Sequence, residues 1–167
     1  NCQEHIEAYF ATAKLDAIYV PLNFRVRSDE LDFMLRDSGS KVLLAGTRYY
    51  DMVESVSHNI PSLSSVVALG GEAPSWLSYE TLLASASDEE RIPQADDDDT
   101  TIIMFTAGTT GVPKGVMLTH NSFTSYILDN VMPADPEVQE RNILTVPLHH
   151  IAGMQAVLSA VYGGRTL

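Results

Sequence analysis

Ten consecutive residues, Thr106-Ala107-Gly108-Thr109-Thr110-Gly111-Val112-Pro113-Lys114-Gly115, hold three glycines, three threonines and one lysine. Glycine permits left-handed backbone and lets the chain approach a ligand closely. Successive N–H groups in such turns make a concavity that binds anions. The hydroxyls of Thr106, Thr109 and Thr110 add short donors, and Lys114 adds a positive charge. The chemistry this composition suits is the holding of a polyanion such as a polyphosphate. A flexible hairpin that happens to be rich in glycine and threonine is the plainer alternative. The spacing excludes a Walker A loop, which places lysine directly after the second glycine and a hydroxyl residue after the lysine. Here Lys114 stands three residues beyond Gly111 and Gly115 follows it.

The 167-residue chain has a formal net charge of −12, so any site for a polyanion must be built locally. That charge argues against binding along a nucleic-acid backbone, which needs clustered Lys and Arg, and against an anionic membrane surface. No apolar run approaches the roughly 20 residues that span a bilayer, and no signal peptide is visible at the start. One cysteine, Cys2, excludes an internal disulfide framework and any multi-cysteine metal site. A reducing, cytoplasmic setting is the simplest expectation. The run Asp96-Asp97-Asp98-Asp99 invites a metal reading, but like-charge runs are commonly solvated loops. His149 and His150 are adjacent, so they do not point the same way, and a paired-histidine metal site is not expected of them. His120 is expected at a helix start and Tyr126 in a core. Nothing in the sequence bears on oligomeric state.

The loop is positioned by alternating strands and helices. Ile6, Tyr9, Phe10 and Ala13 recur at helical spacing, and Ala17-Ile18-Tyr19-Val20 reads as a short strand ended by Pro21. Ser28 is expected to cap a second helix that carries Asp29 and Glu30 in its first turn and Gly39 just past its end. Strands are expected at 42–45 and 65–69, a helix through Tyr49, Met52, Val53 and Val56, and a short helix at 78–86. The most apolar strand of this part of the chain, 101–105, runs straight into the glycine-rich loop, and 116–118 follows as another strand. A helix with Phe123, Tyr126, Ile127 and Val131 on one side comes next. A strand at 143–146, a loop at 147–150 and a helix through Met154, Val157, Leu158 and Val161 complete the pattern. Strand and helix alternating at this spacing imply an α/β fold, a layered and largely parallel sheet with helices on both faces. The breaks at Pro133 and Pro136 suggest a first α/β subdomain at 1–133, a linker at 134–142, and the start of a second, truncated subdomain at 143–167.

Residues 105–116 resemble the phosphate-loop signature of the adenylate-forming superfamily, which includes acyl-CoA synthetases, aryl-CoA ligases, beetle luciferases and peptide-synthetase adenylation domains. The signature usually reads tyrosine or phenylalanine followed by T-S-G-T-T-G-x-P-K-G-V, and Ala107 replaces its serine. Two further segments are similar in the family's order. Ala17-Ile18-Tyr19-Val20-Pro21-Leu22-Asn23 resembles G-A-V-x-V-P-L-N, with Asp16 where glycine is common. Val146-Pro147-Leu148-His149-His150-Ile151-Ala152-Gly153 resembles P-L-F-H-x-x-G.

The resemblance implies an ATP-dependent acid–thiol ligase. A fatty or aryl carboxylate attacks the α-phosphate of MgATP, pyrophosphate leaves, and the acyl-adenylate passes to a thiol, usually that of coenzyme A. Gains in such a reaction come from positioning and from stabilising charge on the departing pyrophosphate. By this resemblance Thr106, Ala107, Gly108, Thr109, Thr110, Gly111 and Lys114 bind the nucleotide phosphates, with Mg²⁺ bridging them beside Thr106. His150 matches the family's histidine at the mouth of the acyl pocket; its plainer role would be to cap the helix that begins near Ile151. His149 takes the place of a variable aromatic and would at most line the pocket. Gly153 would let that helix pack closely against the pocket. The adenine-binding segment, the Mg²⁺ glutamate, the ribose aspartate and the adenylation lysine of the family lie beyond Leu167, so the chain reads as a ligase fragment, inactive by itself. A non-catalytic nucleotide-binding module, an unused structural domain, and luciferase-like or peptide-synthetase adenylation domains are the competing readings.

Overall fold

A computed structural model describes residues 1–71, 73, 75–106 and 111–167. In chain order the elements are α1 (Gln3–Lys14), α2 (Ser28–Ser38), β1 (Val42–Gly46), α3 (Tyr50–Ser57), β2 (Ser65–Leu69), β3 (Leu77–Ser78), α4 (Tyr79–Ser85), β4 (Thr100–Thr106), β5 (Lys114–Thr119), α5 (His120–Asn130) and α6 (Ile151–Tyr162). These include the expected helices and most of the expected strands. The described residues fall into two compact units. One contains Asn1–Phe24, Arg91–Thr106 and Lys114–Leu167, and the other contains Arg25–Glu90 and, from the segment before Lys114, residues 111–113.

In the unit of Arg25–Glu90, β1, β2 and β3 form a parallel sheet in that order, with Leu43 opposite Val66 and Ala45 opposite Ala68. Helix α3 packs against α2 and β1, and α4 against β2. Leu31, Leu35, Val53, Val56, Ile60 and Val67 are buried. Full burial of such a side chain contributes about 2–3 kcal/mol. Helix α2 starts at Ser28 itself, so the cap lies one residue earlier than the serine suggests: the Arg27 N–H donates to Glu30 Oε2 at 3.0 Å. Gly39 closes the helix at φ 63°.

In the other unit β4 is the central element. On one side β5 pairs with it antiparallel, Phe105 facing Gly115 and Thr106 facing Lys114. On the other side the expected strand at 17–20 shrinks to a single parallel bridge, Tyr19 to Ile102. The Tyr19 N–H donates to Thr101 O at 2.9 Å and the Ile103 N–H to Tyr19 O at 3.0 Å. Longer pairing is blocked at both ends. Pro21 lacks an N–H, and Asp16 takes the left-handed φ of 55° that glycine adopts most easily. The Asp16 carboxylate accepts the Gln94 N–H at 2.9 Å and the Ala95 N–H at 2.9 Å, which holds the connection leading into β4.

The core of this unit joins Tyr9, Tyr19, Ile102, Met104, Phe123, Leu148, Met154 and Val157. Residues 143–167 cluster with Asn1–Phe24 and β4 because Leu148, Met154 and Val157 share that core. The expected strand at 143–146 is also absent. Ile143 is 89% exposed, and the pairing nearby is a single bridge, Arg141 to Thr166. Tyr126, expected in the core, is 45% exposed, because α5 turns Phe123 and Ile127 inward and leaves Tyr126 at the edge of that face.

The acidic run is an exposed turn with a structural task. Asp96 N–H donates to Asp99 Oδ2 at 2.9 Å, while Asp99 O accepts the His120 N–H and Asp97 O accepts the Asn121 N–H. Thr119 Oγ1 takes the Ser122 N–H at 3.2 Å. The first amides of α5 are thus bonded within the protein rather than held for an anion, in contrast to a P-loop helix. No group of three His, Cys, Asp or Glu side chains among the described residues could hold a metal ion. No helix among them is long and apolar enough to cross a membrane.

Beside the core, His5 Nδ1 meets the Tyr19 hydroxyl. Burial pushes the Tyr19 phenol up, so it stays a donor, and burial pushes the His5 imidazole down, so it stays a neutral acceptor. Because the folded value of His5 lies below its unfolded value near 6.5, the unfolded chain takes up the proton first on acidification. The His5 contribution to stability is therefore present above about pH 6.5 and is lost as pH falls below it. Melting temperatures from pH 7.5 to 5 should fall more steeply for the native sequence than for His5→Gln; parallel curves would contradict this pairing.

Candidate nucleotide and acid site

The glycine-rich loop is suspended from the most buried strand of the chain. Thr101, Ile102 and Met104 are buried, whereas Thr106 and Lys114 emerge into solvent as directly opposed residues at the open end of the β4–β5 hairpin. The Thr106 hydroxyl donates weakly to Lys114 O at 3.4 Å. Residues 107–113 must connect these two ends. Gly111 has φ 84°, a conformation that side-chain-bearing residues seldom adopt. Gly115 lets β5 lie tight on β4, since a Cβ there would meet Ile103 Cγ2 at 2.9 Å. Ala107, Gly108, Thr109 and Thr110 lie outside the described residues. Of the proposed phosphate ligands, the structure thus brings together Thr106 and Lys114 and places Gly111 in the connection between them.

The second candidate region is the turn before α6. Its backbone is fixed from three directions. The His150 N–H donates to Pro147 O at 3.1 Å within the turn. Asn1 reaches across with both ends of its amide, Nδ2 donating to Val146 O and Oδ1 accepting the Leu148 N–H, each at 3.0 Å. Gly153, buried in the first turn of α6, lies so close that a Cβ would stand 2.2 Å from Pro147 O and 3.2 Å from Leu148 Cα. Close packing at Gly153, expected toward a pocket, is in fact directed at this turn.

His150 is the N-cap of α6, and its Nδ1 accepts the Ala152 N–H at 3.3 Å. The capping role is therefore real, and it has a chemical consequence. With Nδ1 occupied as an acceptor, the proton of the neutral ring sits on Nε2, so the exposed edge is a donor. A cap and a carboxylate-facing donor are compatible in one ring. His149 turns the other way and is half-buried, its ring edge-on to Phe24 at 5.7 Å between centroids. Burial pushes its imidazole below the usual histidine value, with His150 adding to the effect. Neither Phe24 nor Asn1 was expected at this site. Asn1 has no signal in the sequence, and Phe24 offers only its place directly after Pro21-Leu22-Asn23.

The two roles of His150 separate by substitution. Asparagine caps helices well, and alanine does not. His150→Ala should cost about 1 kcal/mol of stability, His150→Asn much less, and both should lower adenylation by about tenfold or more if the Nε2 donor meets the reacting acid, the scale of one hydrogen bond to a charged group. Full activity in His150→Asn would reduce the residue to a cap.

A likeness to known proteins extends over the whole chain. The family model described as AMP-binding enzyme matches residues 1–167. The long-chain-fatty-acid–CoA ligase FadD13 of Mycobacterium tuberculosis is 32% identical over 170 residues, covering 100% of this chain and 32% of that protein. A feruloyl-CoA synthase of an Amycolatopsis species is 33% identical, covering 100% of this chain and 32% of that protein. The inhibitor-bound N-terminal domain of FACL13 from Mycobacterium tuberculosis superposes with a TM-score of 0.86 at 30% identity, over 100% of this chain and 41% of that one. The chain spans about a third of the length of the curated relatives it matches. The family match spans the whole chain, and the chain belongs to the AMP-binding enzyme family.

Proposed function

We propose that this chain is part of a longer acid–thiol ligase, which activates a fatty or aryl carboxylic acid as its acyl-adenylate and passes the acyl group to coenzyme A. The observation that carries the reading is the pairing of Thr106 with Lys114 where the buried strand β4 and the exposed strand β5 meet the glycine-rich connection. It sets a hydroxyl and an ammonium at the two roots of a glycine-rich connection. In this reading the Lys114 ammonium and the loop donors, including Thr109 and Thr110, hold the β- and γ-phosphates and offset charge on the leaving pyrophosphate. The His150 Nε2–H donates to the carboxylate and keeps it oriented toward the α-phosphate. The turn that carries His150 is braced by backbone contacts, so little reorganisation is needed when the acid arrives.

Mg²⁺ suits the same corner. Thr106 offers an exposed hard oxygen, and a Ser or Thr hydroxyl beside nucleotide phosphates can ligate this ion together with phosphate oxygens and water. Held there, it would neutralise phosphate charge. A cytoplasmic setting goes with the demand for ATP and coenzyme A.

The test is product analysis. The complete protein, incubated with MgATP, coenzyme A and a panel of short, long and aryl acids, should yield the acyl-CoA of a preferred acid together with AMP. An acyl-adenylate without acyl-CoA would move the acceptor to another thiol. Release of ADP instead of AMP would overturn the reading.

A further inference from the structure

We propose that Phe24 is a positioning residue for the histidine turn, acting through His149 to hold His150 where the acid substrate binds. This rests on the reading above, in which His150 meets the acid. Phe24 belongs to no motif. It is the last residue before the chain leaves its compact unit, yet its ring contributes little to the core and is 45% exposed. Its ring meets that of His149 edge-on, with planes 61° apart. The other braces of the turn, Asn1 and Gly153, act on the backbone of 146–148. Phe24 is the one that grips a side chain next to His150. Fixing the His149 ring fixes the peptide between the two histidines, and with it the direction in which His150 presents Nε2. The titratable side chain acting on His149 is His150 on the same turn, and those acting on His5 are His149 and Glu4.

The experiment compares Phe24→Ala, Phe24→Trp and the native sequence in the complete protein. In Phe24→Ala the KM for the carboxylic acid should rise about fivefold to tenfold, the scale of one lost aromatic contact. The KM for MgATP and the melting temperature should stay as they were, and Phe24→Trp should restore the acid KM. Acid and MgATP constants that move together, or an acid KM that does not move, would overturn the proposal. Should the native protein show no acid-dependent reaction, the ligase reading fails, and the positioning role is read from histidine-ring NMR. Loss of the Phe24 ring should then raise the titration midpoint of His149 toward the ordinary value and shift the His150 ring signals. Unchanged signals from both rings would overturn it.

Discussion

Lys114→Ala in the complete protein should lower carboxylate-dependent ATP–pyrophosphate exchange by about a hundredfold to a thousandfold, the usual loss when one donor to developing negative charge is removed. The expectation follows from where the residue sits. Lys114 is exposed at the first position of β5, opposite Thr106, and its side chain is not part of the core. Surface substitutions of this kind change stability by less than about 0.5 kcal/mol, so the loss should come with an almost unchanged melting temperature. Lys114→Arg should recover part of the activity, because the charge remains while the compact ammonium is replaced by a planar fork. Exchange at the native rate in Lys114→Ala would remove the residue from the phosphate site.

The largest effect on stability is expected at Gly153. An added methyl would stand 2.2 Å from the Pro147 carbonyl oxygen and 2.8 Å from its carbon, and both are backbone atoms that cannot rotate away. Either α6 must back off from the turn or the turn must move, and Met154 and Val157 on the same helix are anchored in the core. Overpacking of this kind costs about 3 kcal/mol, which in a protein of this size lowers the melting temperature by about 10 °C. Gly153→Ala should also disturb adenylation beyond the loss of fold, since the displaced turn carries His150. Thermal melting measured with the acid KM separates the two effects. A variant with native melting temperature and native KM would show that the turn is not set by this contact.

Much of this architecture was legible in the residues, and the failures have physical causes. The helical spacing of Ile6, Tyr9 and Phe10 and the apolar run at 101–105 yielded α1 and β4, because burial on one stripe or on both faces leaves a direct pattern. The run at 17–20 looks like a strand but forms one bridge, since Asp16 and Pro21 confine it at both ends. The run at 143–146 looks similar, but its carbonyls at Leu144 and Val146 are taken by the Asn1 side chain rather than by a neighbouring strand, a contact across the whole chain that no local pattern encodes. Proline-rich punctuation at 133–136 suggested a boundary, and Leu148 and Met154 beyond it share a core with Tyr9, Tyr19 and Ile102. At the candidate site, residue types and spacing singled out the loop from Thr106 to Gly115, within which the structure pairs Thr106 with Lys114. They offered His150 as a cap of the helix near Ile151 but could not reveal that it caps through Nδ1 and so presents Nε2, because that depends on the turn's geometry. The support from Phe24 was equally hidden, being a contact between segments far apart in sequence.

The most direct test of the central claim is ATP–pyrophosphate exchange by the complete protein, measured with and without short, long and aryl carboxylic acids. Exchange that requires both Mg²⁺ and a preferred acid, and that collapses in Lys114→Ala, is the result predicted here. Folded protein that binds MgATP but shows no acid-dependent exchange with any of these acids would contradict it.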